Sequence, residues 1–145
     1  MLFKNSNEPL MPQKEKTKTA RFVYLDKWIV QNKKIDLRTV RLNDAPSNDA
    51  INWKGLEDFQ SEIIPQLKAY QRVSKILPEK NHQLILNLLQ ANIHSAIQVA
   101  SMSKQNFIST YSHLFSSKKI TAEIFYNKAL AVKTKLLLRH VQKIN

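Results

Sequence analysis

The sequence predicts an all-α protein: a compact multi-helix bundle closed by a long C-terminal helix and preceded by a flexible N-terminal arm. Three observations carry this expectation. Glycine occurs once in 145 residues, at Gly55, whereas a β-protein with many tight hairpins needs glycine at positive-φ positions. Apolar residues recur at intervals of three and four through most of the chain, which is the helical period. Residues suited to helix capping, Asn81, Ser103 and Thr121, stand just ahead of those apolar runs, where their side chains can accept from a first-turn N–H. A chain of this length is most simply one domain and can bury a core without disulfides or metal. There is no cysteine, which excludes disulfides and thiolate chemistry.

Residues 1–19 read as a basic, flexible arm, because Lys14, Lys16 and Lys18 and two prolines, Pro9 and Pro12, leave little to bury. The alternative for the arm is a segment that docks on a partner. Residues 20–145 read as one helical domain, with an N-terminal subregion over 20–45 and the main helical module over 53–143. In the run from Ala20 to Gln31, Phe22, Leu25, Trp28 and Ile29 share one helical face. Residues 35–42, IDLRTVRL, are ambiguous: Ile35 and Leu37 alternate as in a strand, while Asp36 could cap a short helix. Residues 43–52 gather Asn, Asp, Pro and Ser and predict a loop.

The next segment carries Glu57, Asp58 and Glu62 early and Lys68, Arg72 and Lys75 late, an order that complements the helix dipole. Pro65 lies inside it and predicts a break, with a short helix before the proline and a longer one from there to about Leu77. Leu67, Tyr70, Val73 and Leu77 mark the buried side, and Pro78 stops the run. Asn81 starts a helix whose apolar face carries Leu84, Ile85, Leu88 and Leu89. Ala91-Asn92 is the turn, with asparagine suited to the left-handed position. Ser95 to Ala100 predicts one or two helical turns that bury Ile93, Ile97 and either Val99 or Ala100. After Ser103 the helix buries Phe107, Ile108, Tyr111 and Phe115, and a loop over 116–119 leads to Thr121.

The last helix is expected to run about 22 residues, at 100° per residue. Ala122, Phe125, Ala129, Val132 and Leu136 share one face, which Tyr126, Leu130, Leu137 and Val141 widen, while Ile124, Ala131 and Leu138 fall on another flank. Lys128, Lys135 and Arg139 form the remaining stripe. A helix apolar around most of its circumference is central in its own bundle or is covered by a partner.

Net charge is +12, a field that attracts nucleic acid, an anionic membrane or an acidic protein face. From Lys80 onward nine Lys or Arg face a single acid, Glu123. Lys104, Lys118, Lys119, Lys128, Lys135 and Arg139 are the candidate basic contact ridge; the plainer reading of such a run is a solvated face. No catalytic, cofactor-binding or metal-ligating residues emerge. The four histidines, His82, His94, His113 and His140, form no i, i+4 pair, and every acid but Glu123 precedes residue 80. No phosphate-cradling glycine loop or nucleophile elbow occurs, so the expectation is a non-enzymatic protein without cofactor. The segment MLFKNSNEPLMPQKEK has no apolar core of a secretory signal, and no run is long enough to span a membrane. Cytoplasmic synthesis is therefore expected, with any export by a non-classical route.

In LKAYQRVSKILP, followed by LLQANIHSAIQVASMSKQNFISTYSHLF and AEIFYNKALAVKTKLLL, the chain resembles the helical N-terminal part of the A subunits of bacterial Tc insecticidal toxin complexes and of related virulence-plasmid A proteins. Ser95-Ala96, Met102-Ser103, Phe107, Ala122, Tyr126, Ala129 and Ala131 carry the resemblance, over roughly residues 53 to 143. Asn92 stands where those proteins commonly have glycine. Those subunits are also far larger, with receptor-binding domains and a channel, so the resemblance implies a helical module of the shell or a stand-alone relative, and it brings no catalytic residue. Two functions follow. One is a protein–protein interaction module related to toxin-delivery assemblies, with a toxin-complex or injection-apparatus component as its partner. The other is a small nucleic-acid-binding protein, in which Leu84 to Ala100 would act as a helix-hairpin-helix within the basic half. A membrane-active basic helix ranks below both, because the last helix lacks a clean polar face with tryptophans.

Overall fold

The computed structural model of the chain describes residues 21–78, 80–116 and 120–144. The arm read at 1–19 and the part of the 116–119 loop that carries Lys118 and Lys119 lie outside the described residues. Among the described residues there are six α-helices and no strand, so the all-α expectation holds.

The first helix, α1 (Val23–Gln31), follows the apolar spacing read from the sequence: Phe22, Leu25 and Trp28 are buried and Ile29 is half-buried. Its end is closed by a buried amide. Asn32 Nδ2 donates to the Trp28 carbonyl at 2.9 Å and to the Asn52 carbonyl at 3.0 Å, while its Oδ1 accepts from the Asn52 N–H at 2.7 Å. One side chain thus terminates the helix and clamps the following loop onto it. Trp53 meets Trp28 edge-on at 6.1 Å, and its indole N–H donates to the Ala45 carbonyl at 3.0 Å.

Residues 35–42 are neither strand nor helix. Asp36 Oδ1 accepts from the Arg38 N–H at 3.0 Å, and the Asp36 carbonyl accepts from the N–H groups of Thr39 and Val40. The acid closes a single turn on itself, a local bond that competes with both regular structures. The 43–52 loop is as read, with a 3₁₀ turn at Ala45–Ser47. Gly55 follows with φ of 80°, a conformation that costs a residue without a Cβ little.

Pro65 does not break its helix. After a 3₁₀ turn at Glu57–Phe59, α2 (Gln60–Ser74) runs continuously through the proline. The missing Pro65 N–H would have bonded the carbonyl of Ser61, and both residues are exposed, so water can satisfy the freed carbonyl. On the opposite side Ile63, Leu67, Tyr70 and Val73 are buried, and that packing outweighs the roughly 3 kcal/mol a helical proline costs. The helix also stops earlier than expected, at Ser74. Ser74 is buried, and its hydroxyl donates to the Gln71 carbonyl at 2.8 Å. The backbone tightens there so that Ile76 and Leu77 turn into the core.

Asn81 caps α3 (His82–Gln90) by accepting from the Leu84 N–H at 3.1 Å. Leu84, Ile85, Leu88 and Leu89 are buried as read, and Leu86 joins them. Asn92 takes φ of 65°. Its N–H bonds the Leu89 carbonyl and the Ile93 N–H bonds the Leu88 carbonyl, both at 2.9 Å, the paired bonds of a Schellman end. Ser95 caps the short α4 (Ala96–Ala100), which buries Ala96 and Val99, with Ile93 buried just ahead of it. Ile97 is 49 % exposed, contrary to the expectation; five residues have one inward side, and it falls off that side.

Ser103 caps α5 (Lys104–Tyr111), a 3₁₀ turn follows at Ser112–Leu114, and Thr121 caps α6 (Ala122–Ile144) with a 3.2 Å bond to the Ile124 N–H. Phe107 is the hub of this half. It stacks on Phe125 at 5.9 Å and is ringed by Tyr111, Phe115 and Tyr126, all with ring centroids within 6.4 Å. The Tyr126 hydroxyl donates to the Met102 carbonyl at 2.7 Å, which pins α6 to the α4–α5 connection. α4 packs along α6 and α3 against α2, so both halves join one core.

That core ends part-way along α6. Ala122, Phe125, Tyr126 and Ala129 are buried and Val132 is half-buried. Leu136, placed on the same wheel face, is 41 % exposed, and Leu130, Leu137, Leu138 and Val141 are exposed too. The helix is therefore not central in its own bundle: the described core has no surface left to cover it beyond Val132.

Candidate functional site

The part of α6 over residues 134–143 projects from the body with solvent around its whole circumference. Leu136, Leu137, Leu138 and Val141, 41 % to 58 % exposed, spread apolar surface over a broad arc of it. Lys133, Lys135, Arg139 and Lys143 surround it, and residues 124–143 hold no acid. Large side chains left this bare on a helix form a surface suited to burial by another molecule.

The six residues of the expected basic ridge are only partly assembled. Lys128, Lys135 and Arg139 share the exposed stripe of α6. Lys104 is not part of it: its Nζ lies 3.1 Å from Glu123 Oε2, an ion pair between the first turns of α5 and α6. Glu123 is the one acid of that half, so Lys104 is the lysine it neutralises. Lys118 and Lys119 lie outside the described residues.

The α3–α4 turn does not form a phosphate-binding hairpin. Such a site needs outward backbone N–H groups. Here the N–H groups of Asn92 and Ile93 are spent on the Schellman bonds, and that of His94 donates to Gln98 Oε1 at 2.8 Å. The Asn92 side chain is engaged as well, accepting from Arg21 Nη1 at 2.8 Å.

One polar cluster joins residues far apart in the sequence. The Tyr70 hydroxyl lies 2.9 Å from His82 Nδ1, and His82 Nε2 lies 3.5 Å from Asp26 Oδ1. It borders a cavity of about 210 Å³ lined in part by Trp28, Asn32 and Lys80. An Asp–His–hydroxyl line invites comparison with a nucleophile and its base. The chemistry runs the other way: burial, and next the negative charge of Asp26, raise the Tyr70 phenol above its ordinary value. The phenol is held protonated at neutral pH, and the cluster links α1, α2 and α3. Sequence periodicity placed Tyr70 in the core but had no means of pairing it with His82. Among the described residues no group of three or more His, Asp or Glu is arranged to hold a metal ion, and no helix is long and apolar enough to cross a membrane.

A second basic cluster, absent from the sequence reading, lines a groove between the 38–43 turn and α2. Comparison with protein-family models, with curated proteins and with solved structures finds no match.

Proposed function

We propose that the chain is a non-enzymatic protein–protein interaction module that presents the projecting half of α6 to an apolar groove with an acidic rim on another protein. One observation carries this reading: Leu136, Leu137, Leu138 and Val141 stand exposed on a helix that continues past its own core. An amphipathic helix laid into a groove is a common recognition mode. The surrounding Lys133, Lys135, Arg139 and Lys143 favour a negatively charged rim. The same charges work against pairing with a second copy of this chain, which would bring like charges together. The resemblance to toxin-complex A subunits supports a partner within a bacterial toxin-delivery assembly, where the module would serve virulence.

The test is a photo-crosslinking amino acid at Leu137 in the native cell, followed by binding of the captured protein in purified form. The expected result is one dominant adduct with a different protein. Leu137→Ser with Leu138→Ser should then weaken its binding at least about tenfold, roughly 1.4 kcal/mol, without changing the melting temperature. Adducts only with a second copy, or binding that ignores both substitutions, would overturn the reading. Identification of the partner as a component of a toxin-delivery assembly, or not, decides the kinship separately.

A further inference from the structure

The groove between the 38–43 turn and α2 has a volume of about 630 Å³, and its walls carry Arg38, Arg41, Lys68, Arg72 and Lys75. Among the described residues no Asp or Glu lines it. This concentration of cations arises from tertiary structure, because the two walls lie some thirty residues apart in sequence. A single amide joins them: Gln71 Nε2 donates to the carbonyls of Leu37 at 3.0 Å and Val40 at 2.8 Å. The turn is thereby held against the helix, and its two arginines are brought opposite the helical lysines.

Two of the guanidinium groups are also fixed in place. Arg38 Nη2 donates to the Leu77 carbonyl at 2.9 Å and Arg72 Nε to the His94 carbonyl at 3.0 Å. Each spends one of its five N–H donors on the backbone and keeps the others for a ligand. Arg41 has Asp44 at 3.7 Å, but the two side chains are 85 % and 63 % exposed, so water screens that pair and leaves the arginine available. Lys68, Arg72 and Lys75, at i, i+4 and i+7, line one side of α2 over a rise of roughly 10 Å. A nucleic acid strand carries a phosphate about every 3.4 Å of helix axis. The stripe is long enough to meet more than one successive phosphate of a strand.

We propose that this groove binds the phosphodiester backbone of a nucleic acid strand without reading its bases. Planar arginine forks suit phosphate oxygens. No aromatic residue lines the groove, so the stacking that would engage bases is missing. The shape is a trough between two walls, whereas a surface that seats on a bilayer presents an outward apolar face for insertion. The apolar residues of this lining, Val40 and Leu42, are half-buried and buried. The same lack of an accessible apolar anchor disfavours an acidic protein, whose tight binding needs a desolvated apolar centre.

The test is fluorescence anisotropy of the full chain on a labelled oligonucleotide of about 20 nucleotides, single-stranded and duplex, between roughly 50 and 200 mM salt. A groove variant, Arg41→Ala with Lys68→Ala and Lys75→Ala, is set against a control that removes the same charge from α6, Lys128→Ala with Lys135→Ala and Arg139→Ala. None of the three groove side chains chosen makes a hydrogen bond to the backbone among the described residues, and thermal melts verify that both variants fold. At physiological salt the groove variant should bind at least about tenfold more weakly than the control. Its slope of log affinity against log salt should flatten by about 2 to 3, the loss of three phosphate contacts. Equal weakening in both variants would overturn the proposal by showing that binding is generic to the net charge, as would no binding by the unmodified chain at physiological salt. Vesicles containing phosphatidylserine form the third arm. Vesicle binding that is lost in the groove variant, with no oligonucleotide binding, would overturn the proposal in favour of a membrane surface.

Discussion

α2 and α6 are both amphipathic helices with a basic stripe, and they use their apolar faces differently. α2 contains a proline and yet is buried along one side throughout, from Ile63 to Val73. α6 has no such flaw and is longer, yet only Ala122 to Ala129 are buried, with Val132 half-covered. A helical wheel says which residues of a helix face the same way. Whether anything is there to meet them depends on how far the neighbouring elements reach. α2 lies between α1 and α3. α6 meets α4 and α5, which are five and eight residues long, and outruns both.

The largest expected difference between the two situations is at the hub of the α5–α6 contact. Phe125 is fully buried and stacked on Phe107, so Phe125→Ala should cost about 3–5 kcal/mol in denaturant unfolding, the range for emptying a buried aromatic site. A loss under about 1 kcal/mol would place the ring outside the core and undo the packing described for the first turns of α6. Next comes α2. If burial carries the helix through its proline, Pro65→Ala restores a backbone bond on an exposed face, and stability should rise by about 1–2 kcal/mol, less than the full helical penalty because the unfolded chain gains freedom. Destabilisation would mean that the proline ring is itself packed.

A smaller effect is expected at the link from α2 to α3. Tyr70→Phe removes the bond to His82 and should cost about 1 kcal/mol at neutral pH. The phenol is raised in the folded state, so the unfolded chain ionises it first, near its ordinary value of about 10. This contribution is therefore present below about pH 10 and is lost as pH rises through the folded value. The gap between wild type and variant should narrow on that alkaline limb, and a gap constant from pH 8 to 11 would contradict the raised phenol. The smallest effect is at the far half of α6. Leu138→Ala should change stability by no more than about 0.5 kcal/mol, as for an exposed site; a loss of several kcal/mol would mean that this surface is covered within the folded chain.

Features set by a few neighbouring residues were readable in advance. The caps at Asn81, Ser103 and Thr121, the left-handed turn at Asn92 and the buried phase of α3 are all local. Features that depend on distant packing escape the local pattern. The backbone cost of Pro65 says nothing of the packing on the other side of α2. The spacing of Ile97 and Leu136 does not say where their neighbours stop. The candidate surfaces follow the same division. The bare apolar surface on α6 is visible in the sequence as excess apolar residues, although its exposure is not. The cations of the groove belong to two segments that the Gln71 amide helps to hold together, and no local pattern announces that bond.

The bare half of α6 also bears on how the molecule responds to heat. Starting a helix is the costly step, whereas each further residue adds a bond at little cost. The buried turns from Ala122 to Ala129 act as a permanent nucleus, from which residues 134–143 extend without tertiary support. An isolated stretch of that length would be marginal in water. Here its helicity is a propagation equilibrium, which shortens progressively on warming and lengthens on cooling. The far-ultraviolet ellipticity should therefore decline along a sloping baseline well below the cooperative transition, while the near-ultraviolet signal of the buried aromatic residues holds level until the core gives way.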